Sequence, residues 1–417
     1  MVLRVLAALL MFVGAVGCGP NVQPTNSEQR KDQPNSKPTG PKESPPKADP
    51  LKGTPSNAIA APAAMGKAVP TKLYAAGLIA TADLPPGVDV RGEASFQMHL
   101  RFRKDFLLYI KPTATPYAEV LAAEKKRMAK FVAEDVDGFV TGDDIACTMH
   151  RQVKINGVEY VMSCSSYDGN DVLLAYAVAR SVRQTPEDLA AAKRSAEAWK
   201  KLAEDDKHGL HPALGEVMVR LDDKPSDAAF AAIKDIAYIK RLQMNAAGTV
   251  TPEGLKVALG PNVFDFWAMG DWFTDSFAKS LTGNATLQML MVESKTLGDE
   301  GGKQLTGLVN VWYAHLITPN LTDQSASVFL PTLTRVEVLS LNCPKLTNTF
   351  VPALAKLDRL EDLNLSSTGI TDDAIADLAK IPGLRSVTVR MTKMTAEGVK
   401  KLRAAKKDLR VYSDFDK

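Results

Sequence analysis

The chain has 417 residues, with 51 Lys or Arg, 48 Asp or Glu and a formal net charge of +3. Apart from Lys400 to Lys407, interpreted as a solvated helix face, it contains no basic block. This balance of charge disfavours nucleic acid as a partner.

The N-terminus has the features of an export signal. One basic residue, Arg4, precedes an apolar run from Val5 to Val16 that is too short and wrongly flanked for a transmembrane span. Ala15-Val16-Gly17 stands directly before Cys18 and resembles the lipobox of bacterial lipoproteins. The resemblance implies that residues 1–17 are removed and that Cys18 becomes a lipid anchor, with a plain cleaved signal or a retained anchor as alternatives. The expected location is the cell envelope, membrane-anchored and facing the periplasm or the exterior.

Residues 19–71 are rich in Pro, Ser, Asn, Lys and Gln. Such a segment cannot bury enough apolar surface to order itself. With Cys18, it is predicted to form a disordered tether over residues 18–71. A flexible chain of this length spans roughly 40 Å, which would lift the folded part clear of the bilayer.

Residues 72–184 are predicted to form a small α+β domain. The stretch from Phe96 to Phe102 alternates as a strand does, and Ala118 to Val132 has a helical pattern. Asn156-Gly157 between β-prone flanks predicts a two-residue hairpin turn. The apolar stretch from Val172 to Val182 fits either a strand or a helix.

Cys147 and Cys164 flank this turn and form a candidate disulfide, which an exported protein would favour. If the hairpin pairs across the turn, Cys164 lies opposite Met149 and only diagonal to Cys147, which is longer than disulfide geometry prefers. Two buried thiols are the main alternative. A metal site with His150 lacks a fourth ligand, so no metal is predicted.

Residues 185–213 are predicted to form a capping helix and a linker. Thr185 is an N-cap residue, Pro186 suits the first helical position, and an apolar stripe runs from Leu189 to Leu202. We expect this helix to cover the first unit of the repeat array that follows.

Residues 214–417 contain a repeating pattern. A leading apolar position recurs at 214, 239, 264, 287, 311, 336, 360, 384 and 409, and two more apolar residues follow it at strand spacing. The third unit is assigned the triplet Phe264, Trp267 and Met269. Most units then place an apolar residue before a Thr that is expected to cap a helix. Pro225-Ser226 and Leu297-Gly298 depart from this pattern, so two helices are expected to begin less firmly.

The unit written LEDLNLSSTGITDDAIADLAKIPGL resembles bacterial leucine-rich repeats, and the resemblance covers residues 214–412. It implies an α/β fold, a curved solenoid in which parallel strands line the concave side and helices cover the convex side. The segment from Leu409 to Phe415 is expected to close the C-terminal end. Members of this family mostly bind other proteins through the concave face.

Catalytic motifs are absent from the sequence, which contains no G-x-S-x-G, H-E-x-x-H, P-loop or glycine-rich dinucleotide turn. The His residues at 99, 150, 208, 211 and 315 are scattered, and His208 and His211 are interpreted as linker residues. Asp143-Asp144 and Asp205-Asp206 are adjacent pairs whose side chains diverge. The chain is therefore not predicted to be an enzyme, and no cofactor is predicted.

The predicted function is an envelope-anchored scaffold that binds a protein partner through the middle of the concave face. Aromatic and Met patches rimmed by polar residues are typical of binding sites. The alternatives are an enzyme or sensor with its site in residues 72–184, and a structural envelope component. The predicted partner-binding residues are Phe266, Met289, Met291, Trp312, Tyr313, His315, Ile317 and Val338.

Overall fold

The computed structural model describes residues 67–75, 78–92, 98–103, 106–127, 131–142, 146–204, 209–213 and 216–416. The predicted signal, Cys18 and residues 19–66 of the predicted tether lie outside the described residues. The predicted tether boundary at residue 71 is wrong, because the first strand already begins at Val69.

The described N-terminal part, residues 67–182, forms a hairpin and a seven-stranded antiparallel sheet. The elements are β1 Val69–Ala75, β2 Leu78–Leu84, β3 Asp89–Gly92, β4 Met98–Arg103, β5 Phe106–Pro112, α1 Tyr117–Arg127, β6 Phe131–Glu134, β7 Gly138–Gly142, β8 Cys147–Ile155, β9 Val158–Ser166 and α2 Gly169–Ser181. The sheet has the spatial order β3-β4-β5-β9-β8-β7-β6.

The stretch from Val172 to Val182, for which strand and helix were both open, forms most of helix α2, which buries Tyr176 against the sheet. The helix predicted over Ala118 to Val132 is shorter than expected: α1 ends at Arg127, and the last two residues of the prediction belong to strand β6.

Helix α3, Pro186–Glu204, lies between this N-terminal domain and the repeats. At its start, the side chain of Asp188 accepts hydrogen bonds from Lys72 and Thr81 of the hairpin. At its end, Leu202 and Trp199 pack against the apolar core of the repeats. The helix therefore covers the first repeat.

The described repeats, residues 209–416, form a ten-stranded sheet in which the nine strands from Glu216 onward are parallel and each pairs with its neighbour along the chain. Short helices connect the strands and pack against one face of the sheet. The strands are β10 His211–Ala213, β11 Glu216–Val219, β12 Ile239–Met244, β13 Val263–Met269, β14 Met289–Glu293, β15 Tyr313–Ile317, β16 Val338–Asn342, β17 Asp362–Asn364, β18 Ser386–Thr388 and β19 Arg410–Tyr412. The helices are α4 Asp227–Ala232, α5 Pro252–Ala258, α6 Asp275–Ala278, α7 Asp299–Gln304, α8 Asp323–Phe329, α9 Ile375–Lys380 and α10 Ala396–Ala405, with 3₁₀ turns at Ile233–Asp235, Lys279–Leu281, Leu330–Thr332, Asn348–Lys356 and Asp372–Ala374.

Two apolar cores, separate in the described residues, stabilise these parts. One contains buried residues from Leu73 to Val182, and the other runs from Leu202 to Val411 through all the repeats. In the repeats the apolar residues at the first, fourth and sixth positions of the unit point into the core, as Leu360, Leu363 and Leu365 do.

A ladder of side chains joins the starts of successive helices. The Asp after one cap residue accepts two hydrogen bonds from the Thr that caps the next helix, one from its backbone N–H and one from its hydroxyl. We call this the Asp–Thr ladder, and its complete rungs are Asp227/Thr251, Asp299/Thr322, Asp323/Thr347 and Asp372/Thr395, with bonds of 2.5–2.8 Å.

The ladder explains where helix starts differ from expectation. Ser226 does cap its helix, accepting from the backbone N–H of Ala229. Gly298 has no side chain to offer, yet its backbone N–H donates to Asp275 at 2.7 Å. The side chain of Thr274 makes no capping hydrogen bond to the backbone. Thr274 also has no rung in the ladder, because the residue after the preceding cap Thr251 is Pro252 rather than Asp.

Candidate functional site

Side chains on the sheet face opposite the core, here the non-core face, form rows because the strands are parallel and in register. The first row runs Glu216, Arg241, Asp265, Met289, Tyr313, Val338 and Asp362. The second row runs Met218, Gln243, Trp267, Met291, His315, Ser340 and Asn364. The middle of both rows is apolar or aromatic, whereas their ends are polar or charged apart from Met218.

We call the middle of this face the central strip. Most of the predicted partner-binding residues lie there and are half-buried, because neighbouring rows cover part of each side chain. Two exposed carboxylates, Glu293 and Asp362, lie beside it. The strip consists of Trp267, Met289, Met291, Tyr313, His315, Ile317 and Val338.

The prediction for Phe266 is wrong. The third unit begins at Val263 rather than at 264, so Phe266 points into the core with 0% exposure. A one-residue change of phase moves every side chain of a strand to the other face. Trp267, predicted to be core, therefore lies on the non-core face.

Trp312 does not belong to the central strip. It precedes β15, at the edge of the sheet where the N-terminal domain lies, and the Arg91 guanidinium sits 4.6 Å from the centre of its ring. The Trp312 indole Nε1 is buried and has no hydrogen-bond partner among the described residues. Trp312 is thus a domain contact rather than part of an accessible surface.

The end of the strip on β12 and β13 carries a charged cluster. The carboxylate of Asp265 has 0% exposure and lies 3.1 Å from the Lys240 ammonium. Burial raises the pKa of Asp265, and the charge of Lys240 opposes this. Arg241 pairs with Glu216 at 3.0 Å and places its guanidinium 3.7 Å from the centre of the Trp267 ring. These contacts hold the indole of Trp267 in place at the boundary of the strip.

Two ionisable residues of the strip are neutral near pH 7. Burial lowers the pKa of His315, and the carboxylate of Glu293 opposes this only in part. Burial also raises the pKa of Tyr313. The strip therefore presents an uncharged surface at neutral pH.

The candidate site in the N-terminal domain does not assemble among the described residues. As predicted, Ile155 pairs with Val158 and Met149 with Cys164, so Cys164 and His150 point to opposite faces of the sheet. The candidate disulfide is not formed, and Cys147 and Cys164 are buried as thiols. Burial strongly raises the pKa of the Cys164 thiol, which makes it a poor nucleophile.

The remaining acidic and His residues form no metal site in the part of the chain that the structure describes. His211 lies 3.0 Å from Asp223, a contact between the start of the repeats and their first turn. His208, Asp143-Asp144 and Asp205-Asp206 lie outside the described residues. None of the described helices is long and apolar enough to span a bilayer.

No protein-family model matches the chain, and no curated protein matches it in sequence. Among solved structures it is similar to an internalin from Listeria monocytogenes, at 14% identity over 46% of this chain and 52% of that chain, with a TM-score of 0.33. The chain thus spans about half of the internalin. The Rad7 and Elc1 complex of yeast is similar at 15% identity, 44% and 65% coverage and a TM-score of 0.26. A Bacteroides fragilis protein is similar at 15% identity, 66% and 91% coverage and a TM-score of 0.31. These similarities are too weak to assign a family.

Proposed function

We propose that residues 214–412 form a leucine-rich repeat solenoid whose concave face, the non-core face described above, binds a protein partner. The observation that carries this proposal is the central strip, an uncharged surface of aromatic, Met and aliphatic side chains between mostly polar or charged ends. Its side chains are half-buried by each other and are held on a regular sheet. Such a preorganised surface loses little entropy when a partner binds.

The size of the strip indicates how it would be used. It covers four strands, or three spacings of about 4.8 Å, and about four residues along each strand, so it measures roughly 14 by 14 Å. This is about 200 Å², whereas a stable interface takes about 800 Å² from each partner. The strip would therefore be the apolar centre of an interface, with the polar ends of the rows as its rim.

The proposed location is the cell envelope, with the lipidated Cys18 as anchor. The sequence of residues 1–18 supports this part of the proposal. If Cys18 carries the lipid, Cys18→Ser should release the protein from the membrane fraction. A variant that stays in that fraction would rule out the lipid anchor.

The binding test compares two double variants of the full chain. Tyr313→Ala with Met291→Ala removes two side chains of the strip, and we expect it to weaken capture of a partner from envelope extract by about 2 kcal/mol, or roughly 30-fold. Val257→Ala with Val328→Ala is the matched control, because these two exposed residues lie on α5 and α8, on the helical side. If both double variants capture the partner as the wild type does, the strip is not the binding surface.

A further inference from the structure

The N-terminal domain meets the repeats through an unusual concentration of charge. Asp89 lies 2.8 Å from Arg335 and 2.9 Å from Arg359, and Glu337 pairs with Arg91 at 2.6 Å and with Arg101 at 2.5 Å. The side chains of Asp89, Arg91 and Glu337 are only 10–13% exposed. We call this group the ionic junction; it comprises Asp89, Arg91, Arg101, Arg335, Glu337 and Arg359.

The contacts around the ionic junction are also mostly polar. The Gln288 amide donates to the Val90 carbonyl oxygen at 2.8 Å, and Arg91 covers the Trp312 ring. Tyr74 and Phe264 form a looser ring contact, with centroids 6.4 Å apart. The two apolar cores do not merge at this boundary in the described residues. Separation here would therefore expose little apolar surface, unlike the opening of a core.

The boundary is also incompletely packed. A cavity of about 280 Å³ lies against Arg101 and Arg359, and another of about 200 Å³ lies against Arg91 and Trp312. The Trp312 Nε1 and the Gln288 Oε1 are buried there without a hydrogen-bond partner among the described residues. Buried polar atoms without partners destabilise the state that buries them. Contact between the N-terminal domain and the repeats thus depends heavily on the ion pairs of the junction.

The charges at the ionic junction favour contact between the two domains only while they remain paired. Burial opposes ionisation of Glu337, but hydrogen bonds from Arg91 and Arg101 outweigh it and lower the pKa of that carboxyl. Salt screens Arg335 and Arg359 most, because their side chains are 38% and 42% exposed, whereas it screens the more buried pair of Arg91 and Glu337 less. Loss of the Glu337 carboxylate would remove the group that holds two guanidinium groups, Arg91 and Arg101, together.

We propose that the ionic junction is a salt-sensitive latch that holds the N-terminal domain against the edge of the repeat sheet and covers Trp312. When the latch opens, the two domains separate as intact units and the indole of Trp312 reaches solvent. This proposal does not depend on the partner or on the membrane anchor.

Hydrogen exchange on the full chain, followed by mass spectrometry between low salt and 1 M NaCl, tests the latch. Glu337→Gln removes the shared carboxylate, and Arg91→Gln is the second variant in case the first does not fold. Glu216→Gln is the matched control, because it removes a Glu–Arg pair that is also largely buried, with side chains 20–23% exposed, and lies wholly within the repeat sheet. The peptides to compare contain residues 88–91, 286–291 and 310–315, with residues 384–389 as an internal reference.

The latch predicts that rising salt increases exchange in the first three peptides together and leaves the reference peptide unchanged. In Glu337→Gln the increase should already occur at low salt, whereas Glu216→Gln should behave as the wild type. Two results would overturn the proposal. One is equal exchange at low and high salt in every protein, and the other is an increase that includes the reference peptide, which indicates unfolding of the repeats instead.

Discussion

A reciprocal pair of substitutions on β13 tests the phase of the third repeat. The Phe266 side chain is fully buried, with its ring centroid 5.9 Å from that of Phe273, so Phe266→Ala should lower the free energy of unfolding by about 3–5 kcal/mol. The neighbouring Trp267 is half-buried on the other face.

The expected cost of Trp267→Ala is smaller because two effects oppose each other. The substitution loses the contact with the Arg241 guanidinium, worth about 0.5–2 kcal/mol. It also removes the buried Nε1 of Trp267, which lacks a partner among the described residues and whose burial costs about 1–3 kcal/mol. Together with some lost packing, the net loss should stay well below that of Phe266→Ala.

The assay is urea unfolding followed by tryptophan fluorescence. The four Trp residues lie between positions 199 and 312, all on elements that pack with the repeats, so the signal reports this part of the chain and three Trp remain in Trp267→Ala. The phase would be refuted if Trp267→Ala lowered the free energy of unfolding as much as Phe266→Ala, or more.

Three further predictions concern the repeats. Leu363→Ala should cost about 2–5 kcal/mol because the side chain is 2% exposed, whereas Thr371→Ala should cost about 1 kcal/mol by losing a cap, and thermal unfolding would show the difference. Gly254→Ala should destabilise by about 1–3 kcal/mol although helix propensity favours Ala, because the new Cβ would lie 1.8 Å from the Asp227 Oδ1. If this clash is the cause, Gly254→Ala should cost little when it is added to Asp227→Ala, and urea unfolding of the single and double variants would show this. Burial opposes ionisation of Asp299, but hydrogen bonds from Ser325 and Thr322 outweigh it, so its folded pKa lies below the unfolded value of 3.8. Its contribution is then complete above that value and is lost as pH falls through the folded pKa. Asp299→Asn should therefore differ most from the wild type at neutral pH in urea unfolding, and a difference that grows towards pH 3 would contradict this.

Spacing predicted the repeats because one Leu pattern recurs with little variation. It failed in the third unit, where Phe264, Phe266 and Trp267 are all large and apolar and so fit either face. Asp265 could not reveal the error, because it lies off the core face in either phase, although it is fully buried beside Lys240. The step of 24 residues from Ile239 to Val263 would have given the correct phase.

The Asp–Thr ladder was visible in the sequence in part. Asp or Asn follows most cap residues, as in Thr322-Asp323 and Thr371-Asp372. An Asp at this position is also favoured by the dipole of its own helix, so by itself it does not indicate a contact with the next unit. Only the stacking of units reveals that this carboxylate serves the next helix. Gly254 and Gly398 carry the same information, because a Cβ at either position would collide with the ladder Asp of the preceding unit.

The ionic junction could not be predicted, because its paired charges are 236 to 270 residues apart along the chain and each is ordinary by itself. Its place in the fold nevertheless bears on the central strip. Gln288, Trp312 and Glu337 each stand directly before Met289, Tyr313 or Val338, which form the first row of the strip. The same strands therefore carry a domain contact at their starts and the proposed binding surface one residue later. The contact residues precede the strands at the edge of the sheet, while the strip residues that follow them stay half-exposed, so the N-terminal domain binds this edge without covering the strip. The two surfaces adjoin at Trp312, whose ring centroid lies 6.0 Å from that of Tyr313, so a change in the position of the N-terminal domain would alter the edge of the strip.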